Sequence, residues 1–138
     1  MIAGRIRISR GVKSMMKIWL LALLLSAPHL SRAQGNETVI MSLRANSLSG
    51  VVVDPQGGTF PNISVYRIEC GNGEFRGVVD PVILQQVQTD ASGSFAFPWK
   101  DHKRTCLQVE TPGMDQLQVE VKYARSGGKL KLILHVAN

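Results

Sequence analysis

At 138 residues, with 44% hydrophobic and 19% charged side chains, the chain has room for one folded domain. Its formal net charge of +6 is unevenly laid down: six of the sixteen Lys/Arg (Arg5, Arg7, Arg10, Lys13, Lys17 and Arg32) precede Ala33, and all ten acidic residues follow it. From Gln34 onward the charges balance, which excludes the basic stripe that a nucleic-acid partner would need, and Phe60, Phe75, Phe95, Phe97 and Trp99 are not interleaved with Lys/Arg clusters.

The basic N-terminal run leads into the apolar stretch Ile18 to Leu25, and Ser31 and Ala33 supply the small residues that precede a cleavage point. This is the layout of a secretory signal peptide over 1–33, cut between Ala33 and Gln34. The apolar stretch falls short of the roughly 20 residues that span a bilayer. The competing reading is an uncleaved membrane anchor. Met15 or Met16 offers an alternative start, with Met15-Met16-Lys17 as a compact basic region. No cysteine closely follows the apolar run, which argues against lipoprotein processing. The expected location is secreted or periplasmic, with no transmembrane span after cleavage.

Residues 34–46 form a lead-in, in which Val39, Ile40, Met41 and Leu43 make either a first edge strand or a loose arm. The domain proper, 47–138, opens on the strand Leu48 to Asp54, which the turn Asp54-Pro55-Gln56-Gly57-Gly58 stops. Pro61-Asn62 precedes Ile63 to Cys70, where Ile63 and Val65 share one face and Tyr66 and Ile68 the other. A bulge or burial on both faces would each explain that change of phase. Gly71-Asn72-Gly73 is a turn, and Glu74 to Asp80 a loop ending at Pro81. Val82 to Thr89 reads as a strand, and Asp90-Ala91-Ser92-Gly93 as a tight turn.

Phe95, Phe97 and Trp99 then alternate at period two, with Pro98 marking a strand end. After the charged connection Lys100 to Arg104, Leu107 and Val109 alternate up to Thr111-Pro112-Gly113. Leu117, Val119, Val121 and Tyr123 alternate with Gln118, Glu120 and Lys122. Beyond Ser126-Gly127-Gly128, Leu130, Leu132, Leu134 and Val136 do the same. About seven strands and no helical period predict an all-β sandwich of antiparallel sheets packed face to face, each with one wet face.

The succession L-S-G-V-V-V-D-P-Q-G-G, P-N-I-S-V, T-D-A-S-G-S-F-A-F and L-Q-V-E-T-P-G-M, followed by alternating β sequence, resembles the carboxypeptidase regulatory-like domain. That domain is a transthyretin-like β-sandwich, found behind metallocarboxypeptidase domains and in many exported bacterial proteins. The resemblance covers Ser47 to Val136 and implies a Greek-key, immunoglobulin-like arrangement. Gly50, Asp54, Gly57, Thr89, Asp90, Gly93 and Phe95 would be its turn and core positions, and the family offers no catalytic residue to carry over. Thr105 and Met114 depart from positions that are often aromatic, Arg67 from a usual apolar residue, and the loop from Cys70 to Val82 is longer than the pattern.

Cys70 and Cys106 are the two cysteines, and both lie in the exported part, where a disulfide is the simplest reading. A metal pair is the rival, without C-x-x-C spacing or a nearby histidine cluster to support it. After export His102, His135, Tyr66 and Tyr123 remain, the ligand types of an intradiol dioxygenase iron. However, the histidines are too far apart in sequence, and Tyr123 continues the apolar face of Leu117, Val119 and Val121. The Tyr-Arg-Gly-Ser ending of a hydroxyisourate hydrolase is absent from the present H-V-A-N terminus.

Ser94, Asp101 and His102 lack a nucleophile elbow, and Lys100 to Arg104 is more simply a solvated loop. Asp80, Asp90 and Asp101 lack calcium-loop spacing. Asn36-Glu37-Thr38 and Asn62-Ile63-Ser64 are sequons that matter only in a eukaryotic secretory route. Phe95, Phe97 and Trp99 share a parity that favours core packing, Trp99 being the best candidate for exposure.

The functional expectation is a non-enzymatic exported module, without catalytic residues, cofactor or metal, that serves structural support or protein interaction. Its partner would be another exported or cell-envelope protein. The alternative is a carbohydrate-binding module that stacks sugars on Trp99 and Tyr66, and a small hydrolase is the third reading.

Overall fold

The computed structural model describes residues 37–138. The expected signal peptide, its cleavage between Ala33 and Gln34, and the first sequon's Asn36 lie outside the described residues. The described chain is all-β, with eight strands: β1 (Thr38–Ala45), β2 (Leu48–Val53), β3 (Ser64–Ile68), β4 (Ile83–Gln88), β5 (Ser94–Phe97), β6 (Thr105–Val109), β7 (Gln116–Tyr123) and β8 (Leu130–Ile133). They form a five-stranded sheet, β1-β7-β6-β3-β4, and a three-stranded sheet, β5-β2-β8.

Antiparallel pairing holds for β2–β5, β3–β4, β3–β6 and β6–β7, while β1–β7 and β2–β8 are parallel. The two-residue link Asn46-Ser47 carries the chain from one sheet to the other, so β1 and β2 cannot close a hairpin on each other. Each instead takes a partner from near the C-terminus, and alternation in the sequence does not encode the direction of such a distant partner. The lead-in is therefore an edge strand, in register with β7 from Thr38↔Gln116 to Ala45↔Tyr123. The change of phase in β3 comes from burial on both faces: Val65 packs in the core, while Ile68, opposite Cys106 on the other face, is buried too. The register shift against β4 places its extra residue, Leu84, on β4.

The two inner faces meet in one core. Val65, Leu107, Val109, Leu117, Val119 and Val121 come from the larger sheet, and Leu48, Val52, Phe95, Phe97, Leu130 and Leu132 from the smaller. The turns that end the strands are built alike. Asp54 Oδ1 accepts from the amides of Gln56 and Gly58 at 2.9 and 2.8 Å, and Asp90 Oδ1 from those of Ser92 and Ser94 at 2.9 and 3.0 Å. Those bonds, with the one from the Ser92 hydroxyl as the largest contribution, hold the Asp90 carboxyl below its ordinary pKa. Gly93 takes the positive φ of +77° that closes this turn. Thr89 is buried, accepting from the Ile63 amide at 3.0 Å and donating to the Phe60 carbonyl at 2.6 Å.

Gly50 lies against the backbone of β8: a Cβ there would sit 1.9 Å from the Leu130 carbonyl oxygen. The backbone of a paired strand cannot yield by that distance without breaking the ladder. Gly50→Ala should therefore cost about 3 kcal/mol or more, read as a lowered urea midpoint or as loss of folded protein. An unchanged midpoint would contradict this reading of the β2–β8 contact.

Candidate functional site

All five residues of β6 are buried, although Cys106 and Gln108 point away from the core. The long segment between β3 and β4 accounts for it by folding over the outer face of the five-stranded sheet. Cys70 and Cys106 form a disulfide with a Cα separation of 5.3 Å, fixing the root of that segment to β6. Arg104 then donates to the carbonyls of Gly71 and Gly73 at 3.1 and 2.8 Å. Further along, Gln118 clasps Val78, accepting from its amide at 2.8 Å and donating to its carbonyl at 2.9 Å; a second bond from the Gln118 amide reaches Gln108.

Sequence alternation assigned Gln118 and Glu120 to a wet face, but Gln118 is 1% exposed and Glu120 is buried too. Gln118 is satisfied by the returning segment and by Gln108 across the ladder, and Glu120 by side chains of the sheet and its margin. Arg104 Nε donates to Glu120, Ser42 Oγ donates to it at 3.0 Å, and Lys122 Nζ lies 3.7 Å away. Burial alone would raise the Glu120 pKa. The hydrogen bonds from Arg104 and Ser42, with the charges of Arg104 and Lys122, outweigh it and hold the carboxyl below the ordinary glutamate range.

Trp99 does not serve as an exposed stacking face. It is 8% exposed, and its indole N–H donates to the Lys103 carbonyl at 2.8 Å. Pro98 ends the strand but does not turn the next side chain outward, because the chain after it folds back over the ring. Tyr123 is the opposite case. It lies in line with the apolar face of β7, yet it is 39% exposed because β7 ends there. His102, at a φ of +53°, stacks on Tyr123 with ring centroids 3.9 Å apart, and Trp99 meets both rings edge-on.

The remaining candidates are dispersed. Tyr66 pairs with Gln86 and Gln108 on the outer face, remote in register from Tyr123. Asp101 accepts from the Lys103 amide at 3.0 Å, and the Ser94 hydroxyl lies 3.0 Å from that of Ser92, so Ser94, Asp101 and His102 each have other partners. Among the described residues no three His, Cys, Asp or Glu side chains converge as metal ligands, and no helix is long and apolar enough to cross a membrane.

Two surface features stand out. Tyr66 lines an open groove of about 500 Å³ with Asn62, Ile63, Ser64, Glu110, Thr111 and Pro112. On the edge of the same sheet, Val82, Ile83 and Leu84 are 54, 53 and 55% exposed, beside Val79 at 91%. Sequence reading missed this edge. The available signal was the charge-free run Ile83-Leu84-Gln85-Gln86-Val87-Gln88, which as an edge strand carries none of the lysines that usually guard one.

The fold and these features define a disulfide-bearing β-sandwich. Comparison with protein-family models, with curated proteins and with solved structures returns no match.

Replacing both cysteines by serine should cost roughly 2–4 kcal/mol. It should also speed hydrogen exchange at the Val78 amide more than at Leu107, if the disulfide roots the outer segment. The lowered Glu120 pKa stabilises the fold above the ordinary glutamate pKa, and that contribution fades as pH falls through the lowered value. Glu120→Gln should therefore flatten the acid limb of the stability–pH curve. An unaltered acid limb would remove Glu120 as its cause.

Proposed function

We propose that the chain is a non-catalytic interaction module of the carboxypeptidase regulatory-like kind, exported to a periplasm or the cell exterior, that holds another exported or cell-envelope protein. The observation that carries this reading is the β4 edge. A strand at the margin of a sheet presents unpaired N–H and C=O groups on its free side, and natural proteins usually blunt it with charge, proline or cover. Here Ile83 to Gln88 is uncharged, and three adjacent apolar side chains at its start face water. The register shift opposite Arg67/Ile68 lets the consecutive Ile83 and Leu84 both stay exposed. An extended segment of a partner would add a strand here, with backbone bonds supplying affinity and the apolar side chains supplying contact area. The disulfide supports export, since such bonds persist in oxidising compartments. The resemblance to the family is supported by the turn and core work of Asp54, Thr89, Asp90 and Gly93.

A photo-cross-linking amino acid placed at Leu84 in the native cells should capture a protein partner, whereas the same group at Lys131 should not. Ile83→Lys should reduce the adduct by about tenfold, through burial of an unpaired charge. Equal capture at both positions, or an adduct only with a second copy of this chain, would overturn the reading.

A further inference from the structure

We propose that the groove centred on Tyr66 is a binding subsite for an uncharged saccharide, distinct from the β4 edge. Tyr66 projects from the outer face of the five-stranded sheet beside the covered part of that face. Its ring is half-buried, and its cross-strand neighbours are two glutamines, Gln86 and Gln108. Gln108 is spent beneath the outer segment on Gln118, and Gln86 donates to Ser64 Oγ at 2.9 Å. These bonds fix the floor around the tyrosine. Along the rim, the side chains of Asn62, Glu110 and Thr111 and the Tyr66 hydroxyl make no hydrogen bond to any described residue.

The chemistry of that lining selects the ligand class. A pyranose ring has an apolar C–H face and a rim of hydroxyls that both donate and accept. The groove matches this with one aromatic face, flanking apolar surface from Ile63 and Pro112, and unspent amide, carboxylate and hydroxyl groups. Glu110 is its one ionisable carboxylate and no cation lines it, so an anionic sugar or a phosphate would meet repulsion without compensation. A proline-rich peptide is a poorer match, since such segments dock in grooves lined by several aromatic rings and Tyr66 stands alone here. The positive φ of Asn62, at 57°, and the bond from its amide to the Thr89 carbonyl at 3.0 Å hold one end of the groove in place without a ligand. Little ordering is then left to oppose binding.

The assignment moves the sugar-binding role from Trp99, which the core absorbs, to Tyr66 alone. A single ring and a shallow open groove fit weak binding of one or two sugar units, which gains strength only by repetition along a polymer or across several copies.

The test titrates soluble neutral oligosaccharides (glucan, xylan, mannan and chitin fragments) into the folded chain while amide shifts are followed by NMR. At least one should move Ser64, Tyr66 and Thr111 together while leaving Leu84 in place. Tyr66→Ala should weaken that binding by about tenfold or more, and Tyr66→Phe, which keeps the ring face, by much less. Glu110→Ala should weaken it as well, and Glu110→Gln, which keeps a planar hydrogen-bonding group, should not. Thermal melts of each variant verify that the sandwich is intact. If no neutral sugar shifts the groove at millimolar concentration, or Tyr66→Ala binds as well as the parent, the proposal fails. Because the partner at Leu84 is read by cross-linking and the sugar by shifts at Tyr66, either reading can fail without the other.

Discussion

Strand β6 is covered on both sides, and most of the molecule's particular features follow from that constraint. One side of it is ordinary: Thr105, Leu107 and Val109 face the core with Val121, Val119 and Leu117 as cross-strand partners. The other side carries Cys106 and Gln108, with Gln118 and Glu120 alongside on β7. Taking an amide and a carboxylate out of water costs several kcal/mol unless every lone pair and proton is answered. The segment after β3 supplies the answers, with the Val78 backbone for Gln118 and the Gly71 and Gly73 carbonyls for Arg104, which in turn serves Glu120. A loop that gives so many backbone groups to a sheet face must be anchored, and the disulfide is placed at its second residue.

The same constraint explains which parts of the fold were legible in the sequence. Alternation along Leu117 to Val121 and Leu130 to Leu134 is a local signal, and it identifies strands and their inward faces correctly. It carries no information about what lies on the far side of a polar face. Gln118 and Glu120 are spelled like solvent-facing residues and become buried only because a distant loop returns over them. Strand direction was hidden for a related reason. The partners of β1 and β2 lie near the other end of the chain, and a period of two is identical for parallel and antiparallel neighbours. The turns were the most readable parts, because Asp90 and Gly93 act on residues within four positions of themselves.

Side-chain exposure at strand ends was the least legible quantity. Trp99 and Tyr123 sit at the ends of period-two runs, and the pattern stops distinguishing inside from outside where the strand stops. Trp99 is buried by the Lys100 to Lys103 segment curling back to accept its indole proton, while Tyr123 is left half in water, stacked under His102 and edge-on to Trp99. Any argument from aromatic content to a binding platform fails at such positions unless the path of the following loop is known. Tyr66 is different. It lies in mid-strand on a face whose orientation is set by pairing on both sides, so its placement depends on register rather than on a loop.

Both candidate contact regions fall on the β3–β4 half of the sheet, and the mechanics of the sandwich suit them to that place. β4 is bonded along its length to β3 alone, and β3 is bonded in turn to β6. The disulfide joins the chain two residues beyond β3 to the β6 position that pairs with Ile68, so β3 is held to the doubly buried strand by a covalent link as well as by its ladder. A load applied at β4, or a ligand pressed on Tyr66, is therefore carried into the best-packed strand of the domain. At the opposite margin, β1 is bonded to β7 alone and has no such link. Its outward Ile40 packs against the returning segment at Gly77, so contact there would compete with the cover that keeps Gln118 dry. Between two margins that both expose apolar side chains, the β4 side is the one where binding leaves the polar interior undisturbed.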